Sequence, residues 1–305
     1  MMIQTVTGPV QESDFGRAAA HEHILVDFHD PAGPPRAYDR SEVVAVIRPY
    51  LEKLREAGCQ GFIDCTPIWL GRDPLVLQEL SRQTGLKIIT NTGWYQAPML
   101  PPEAYQLTER EIADLWIAEV ENGIGSTGIK PGFIKIALNS GKLSDISQKI
   151  LHSAIQAAKV TGLAIVSHTV GSAAMLEARA VLKEWEFDLA QFIWAHADAA
   201  DGREIQLHMA ASGIWISLDG IGSRHDQHAA MIKDLIAAGL ADRVLISQDS
   251  GWYDVGEPNG GTVRPYHTLF TEFIPYAIQS GISEKILDRI VTVNVAQALR
   301  VRSRD

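Results

Sequence analysis

Six side chains in this chain are suited to holding metal ions: His21, His23, Lys135, His168, His196 and Asp249. The first two form a His-x-His pair. In a strand, residues i and i+2 face the same way, so both imidazoles should project to one side and Glu22 to the other. Lys135 interrupts the apolar run Phe133-Ile134-Lys135-Ile136. Burial disfavours an ammonium and pushes it toward the neutral amine. A neutral amine can take up carbon dioxide as a carbamate, which is an anionic oxygen ligand. The same lysine could instead pair with a carboxylate or carry a Schiff base. His168 ends Val166-Ser167-His168, His196 ends Trp194-Ala195-His196, and Asp249 ends Ser247-Gln248-Asp249. One histidine so placed is ordinarily a hydrogen-bonded core residue. Several such residues at the carboxyl ends of separate apolar runs point to a metal site. Nitrogen and oxygen donors without thiolate suit zinc first, with manganese, cobalt or iron as alternatives. Six ligands, one able to bridge, fit two divalent ions roughly 3.5–4 Å apart.

Such a set needs elements that bring it to one place. Short β-branched apolar runs alternate along the chain with longer segments of helical periodicity. The expected strands are Ala19–Val26, Gly61–Thr66, Lys87–Thr92, Gly132–Ala137, Ala164–His168, Gln191–Ala195, Ile214–Leu218 and Arg243–Ser247. Between them, Ser41 is placed at a helix start, ahead of the stripe Val43, Val44, Ile47, Leu51 and Leu54. Thr108 and Glu111 fit a capping box. Gly85, Gly213 and Gly239 follow helical stretches, where a left-handed residue ends a helix. Eight strand–helix units with nearly continuous apolar strands predict an α/β protein, a (β/α)₈ TIM barrel. In that fold the carboxyl ends of the strands carry the active site. No Gly-x-Gly-x-x-Gly turn, which would favour an open doubly wound sheet, follows the first strand. No long linker divides the chain, so residues 1–305 are expected to form a single TIM-barrel domain.

Composition narrows the function. With 27 Lys and Arg against 37 Asp and Glu, the net charge is −10, which argues against nucleic acid as a partner. A mean hydropathy of −0.01 and the lack of an apolar run near the ~20 residues that span a bilayer argue against a membrane role. The N-terminus has no basic segment followed by an apolar one, and the cytoplasm is the expected location. The two cysteines, Cys59 and Cys65, do not form a Cys-x-x-Cys pair and read as structural thiols.

With these residues in view, the chain resembles the phosphotriesterase family of the amidohydrolase superfamily. The resemblance rests on Ala20-His21-Glu22-His23, Gly71-Arg72-Asp73, Thr92-Gly93, Lys135, Ser167-His168-Thr169, His196 and Asp249, and covers nearly the whole chain. It implies that His21 and His23 bind a buried metal with Asp249, and that His168 and His196 bind a more exposed one. Lys135, as its carbamate, would bridge the two together with a hydroxide. That hydroxide would attack a carbonyl or phosphoryl centre, with Asp249 accepting its proton as the catalytic residue. The resemblance also implies a homodimer. In phosphotriesterases an Asp three residues after the sixth-strand His and a His after the seventh-strand Leu-Asp relay protons, and related lactonases have an Arg at the latter position. Here those positions are Ala199 and Gly220, while Asp198 and Asp219 stand beside them. The expected activity is therefore hydrolysis of a small-molecule carbonyl ester, a lactone above all, with phosphotriester turnover promiscuous. An amide hydrolase of the same mechanism and a barrel that only binds a ligand are the alternatives. Tyr95, Trp252, Trp69 and Arg72 are the expected substrate contacts. His225 and His228 are assigned to the loop after the seventh strand, and Glu257 to a loop within reach of the site.

Overall fold

The computed structural model describes residues 1–302. Eight strands occupy the expected positions: β1 (Ala18–Glu22), β2 (Gly61–Asp64), β3 (Lys87–Ile89, resuming as Asn91–Thr92), β4 (Phe133–Leu138), β5 (Ile165–Thr169), β6 (Phe192–Ala195), β7 (Trp215–Leu218) and β8 (Val244–Ile246). Each pairs in parallel with the next, through Gly61↔Lys87 between β2 and β3, Asn91↔Phe133 between β3 and β4, and Leu218↔Ile246 between β7 and β8. The ring closes between β8 and β1. There the Asp249 amide donates to the His21 carbonyl at 3.1 Å, and the His21 amide donates to Ser247 Oγ at 2.8 Å. The structure is the TIM barrel that the alternation predicts.

The strands explain why Lys135 points inward. Side chains alternate across a strand, and the buried residues sort accordingly. Ala18, Ala20, Ile63, Phe133, Val166, Ile193 and Leu245 pack together inside the barrel. Ala19, Phe62, Ile134, Ile136, Ile165 and Trp194 pack against the surrounding helices. Lys135 lies two residues from Phe133 on a strand whose six residues are all buried, and so faces the lumen.

The helices begin and end much as the sequence indicates. Asp73 caps α2 (Pro74–Thr84), accepting from the Leu75 and Val76 amides, and Gly85 ends it in the left-handed region. Thr108 and Glu111 form the capping box of α3 (Glu109–Asn122). The cap of α1 (Arg40–Glu56) is a correction: Asp39, not Ser41, occupies it, because its carboxylate reaches the Ser41 amide. The hairpin of Met2–Thr5 and Gly8–Gln11 has no counterpart among the expected strands. It carries Ile3 beneath the barrel, where Ile3 and Phe15 fill the end opposite the ligand-bearing strand termini. Among the described residues, no helix is long and apolar enough to cross a membrane.

Candidate active site

One cavity of about 530 Å³ at the carboxyl ends of the strands is lined by all six ligand candidates, together with Tyr95 and Trp252. His21 is supplied by β1, with His23 just beyond it. Lys135 comes from β4 and His168 from β5, while His196 and Asp249 immediately follow β6 and β8. Parallel strands in a closed barrel present their carboxyl ends at one face, so residues far apart in sequence meet there.

His21, His23 and Asp249 each offer a ligand atom within 4.8 Å of the other two. His23 Nε2 lies 3.0 Å from Asp249 Oδ1, and His21 Nε2 lies 4.0 Å from it. The rings of His168 and His196 have centroids 4.3 Å apart, and His21 is 4.9 Å from His196. The Lys135 amine sits among them, 3.3 Å from His21 Nε2, with no carboxylate within 4.0 Å among the described residues. Pairing with a carboxylate is thus not how this lysine is accommodated.

The electrostatics keep these groups in ligand form. Burial, then the Lys135 charge, lowers His21 to about 4. Burial and the neighbouring His196 lower His168 to about 2. Both imidazoles are therefore neutral near pH 7, with lone pairs free. Burial alone would raise Asp249, but its hydrogen bond and proximity to His23 hold it well below the ordinary carboxylate range. His196 and Asp249 both have positive φ, 64° and 48°. Non-glycine residues rarely adopt this conformation, and it tends to persist at functional sites where surrounding structure enforces it.

Two carboxylates outside the ligand set hold it in place. Asp219 is fully buried at the end of β7. Its Oδ2 lies 3.1 Å from His21 Nδ1 and accepts the His196 amide at 2.7 Å, and its Oδ1 accepts from Ser217 Oγ at 2.5 Å. Although Asp219, His21 and His196 are close enough to form a metal site of their own, we read Asp219 as the orienting group, since it occupies the Nδ1 side of His21 and leaves Nε2 facing the cavity. Glu22 points away from the cavity, as the strand alternation requires. It accepts from Ser247 Oγ at 2.7 Å and from the amides of Gln248 and Ser250, fixing the turn that carries Asp249. Both were legible as acids at strand ends, although that position alone does not reveal what they grip.

The remaining candidates divide. Tyr95 Oη is 3.3 Å from His168 Nε2, and burial raises its phenol to about 12, so it stays protonated. Trp252 packs edge-on to His23, with centroids 5.7 Å apart. Trp69 and Arg72 are corrections. Trp69 lies outside this cavity, its ring against His29. Arg72 is buried and forks onto Glu119 at 2.7 and 2.8 Å while donating to the Asn91 carbonyl, so both terminal nitrogens are engaged in structure. His228 is not in a loop but in the helix His225–Ala237. Its Nε2 lies 3.3 Å from Asp198 Oδ2. Glu257 does not line the cavity. Asp198 also accepts from the Asp219 and Gly220 amides at 3.0 and 3.1 Å. A Cβ on Gly220 would lie 2.5 Å from Asp198 Oδ2, so this carboxylate takes the space a side chain would need there.

Comparison with known proteins identifies the family. The model of the phosphotriesterase family matches residues 1–299. A phosphotriesterase homology protein of Escherichia coli is 30% identical over 92% of this chain and 97% of its own. An aryldialkylphosphatase of Saccharolobus solfataricus is 25% identical over 93% and 95%. An N-acetyltaurine hydrolase of Rattus norvegicus is 25% identical over 97% of both chains. The chain belongs to the phosphotriesterase family, and it is a hydrolase with a cluster of His and Asp side chains suited to metal.

Proposed function

We propose that the protein is a two-metal hydrolase of small carboxylic acyl compounds, with a lactone or other carbonyl ester as its substrate. The observation that carries this reading is the convergence of six donors of the right chemistry on one cavity. His21, His23 and Asp249 would hold one ion, and His168 and His196 the other. Lys135 would reach both as its carbamate, a reading supported by a buried amine with no carboxylate partner among the described residues. Zinc suits this donor set best, with manganese, cobalt or iron as alternatives. When bound, the two cations supply Lewis acidity, lowering the pKa of water and polarising the scissile carbonyl. Asp249, kept ionised by His23, accepts the proton as water attacks. Tyr95, protonated and beside His168, donates toward the carbonyl oxygen. Val26, Phe28, Leu70 and Trp252 enclose the apolar part of the substrate and exclude water.

A second reading, hydrolysis of an amide by the same residues, is favoured by two observations. Some relatives bear the name N-acetyltaurine hydrolase. In addition, Asp198 and His228 form an acid–base pair beside the site, and an amine leaving group needs a proton.

Metal analysis and turnover of lactones, esters, amides and phosphotriesters on one preparation test the proposal. About two metals per chain with lactone or ester turnover is the expected result, and amide turnover alone would select the second reading. Lys135→Ala and Asp249→Ala should each lower kcat/KM by about a thousandfold or more with the circular dichroism spectrum retained. Short carboxylic acids should partly restore Lys135→Ala by supplying bridging oxygens. Near-parental activity in either variant would remove the proposed mechanism.

A further inference from the structure

Two cavities meet at His168, His196 and Asp249, and they differ in chemistry. The first is the largely apolar one described above. The second, about 1070 Å³ and open to solvent, is walled by Asp198, Gly220, Ser223, Gln248 and Arg264 among others. Arg264 is the sole lysine or arginine on its wall. The side chain is held from two sides: it donates to the Asp249 carbonyl, and its guanidinium carbon sits 4.6 Å from the Trp252 ring centroid. Trp252 itself lines the first cavity, so the stacked pair stands where the two cavities adjoin. Arg36, Arg40, Arg72 and Arg302 each have a carboxylate partner, but among the described residues Arg264 has none within 4.0 Å. A guanidinium has five donors, and one contact to a carbonyl leaves most of them free. The aspartates nearby are already engaged. Asp198 holds two backbone amides and His228, Asp219 is buried against His21, and Asp249 contacts His23. The result is a fixed, exposed cation beside the reacting centre of a chain whose net charge is −10.

We propose that Arg264 recognises an oxyanion on the departing part of the substrate. The preferred substrates are then acyl compounds whose small apolar acyl group fills the first cavity and whose short leaving group extends a carboxylate or sulfonate into the second. The planar guanidinium fork matches such an oxyanion through paired hydrogen bonds, and the Trp252 stack holds it ready. Because Arg264 touches the backbone of Asp249, the anion must lie only a few bonds from the scissile carbonyl. This inference rests on the acyl-hydrolase reading above, so its test carries a binding readout as well as turnover.

Metal-loaded protein is given N-acetyl-β-alanine, its sulfonate counterpart and its neutral methyl amide. Calorimetry measures binding of the matching ketones, in which a methylene replaces the scissile nitrogen. An anionic compound of either kind should be favoured over the neutral one in kcat/KM and in affinity. Arg264→Gln should lower that preference by about 10- to 100-fold, and Arg264→Lys, which keeps the charge but loses the fork, by less. Acyl turnover in which charged and neutral compounds are treated alike, or a preference unchanged in Arg264→Gln, would overturn the inference and leave the hydrolase reading standing. Arg264-dependent binding of the anionic ketones without turnover of these amides or of any lactone or ester would support the inference and remove that reading.

Discussion

An imidazole has two nitrogens, and only one of them can face a metal, so each histidine ligand needs something to fix its ring. For His21 that group is Asp219, whose carboxylate meets Nδ1 at 3.1 Å and also accepts the His196 amide. Its own pKa shows the direction of the coupling: burial would raise it, but His21 and His196 outweigh burial and hold it below the ordinary carboxylate range. Asp219→Asn preserves the shape and removes the charge. We expect it to weaken metal binding or lower activity by about 10–100-fold with the fold retained. Competition against a chromogenic chelator measures this, and an unchanged metal affinity would show that Asp219 does not orient the ligand. At this scale the sequence was legible where one rule applied: polar residues at the carboxyl ends of apolar strands gather in a barrel. It was not legible where a side chain's direction depends on distant chain. Arg72 turns to Glu119, 47 residues away, and nothing near Gly71-Arg72-Asp73 encodes that partner. The relay positions are a middle case. Ala199 and Gly220 could be read directly, but only the structure shows that Asp198 fills the space above Gly220 and grips its amide.

The elements position the site by close approach as much as by pairing. Gly93, just beyond β3, has φ +105°, and a Cβ there would lie 2.1 Å from the Lys135 carbonyl oxygen. The strand carrying the lysine therefore packs directly against this glycine. Gly93→Ala combines left-handed strain with a backbone collision, and should cost about 3 kcal/mol or more. Gly125→Ala is the control, because φ is +55° there and nothing lies within 4 Å, so only conformational strain of about 1 kcal/mol is expected. Urea denaturation of both variants checks the difference, and equal costs would mean that the β3–β4 approach is not a constraint. The strands were readable because short, nearly continuous apolar runs rich in β-branched residues are local signals. The N-terminal hairpin was not, because its strands Met2–Thr5 and Gly8–Gln11 carry no continuous apolar run and an isolated hairpin is marginal in water. Its stability comes from Ile3 packing beneath the barrel, a contact that exists only once the ring has closed.

For the molecule as a whole, the ligand set joins the ends of five strands: β1, β4, β5, β6 and β8. The top of the barrel holds a buried amine close to several imidazoles, with burial opposing the charged forms of His21 and His168. A ligand that binds only the folded chain stabilises it by RT ln(1 + [L]/Kd), about 4 kcal/mol at a thousandfold excess over Kd. For a protein of this size, each kcal/mol moves the unfolding midpoint by roughly 2–4 °C. Chelation should therefore lower the midpoint by on the order of 10 °C, and zinc with bicarbonate should restore it. The same restoration should be much smaller in Lys135→Ala, where the bridging oxygens cannot form, and should recover in part with a short carboxylic acid. Scanning calorimetry of both proteins, stripped and reloaded, makes the comparison. If the midpoint were unmoved by chelation, the six side chains would not be acting as one site. If Lys135→Ala responded as fully as the parent, the lysine would have no part in joining the two halves of that site.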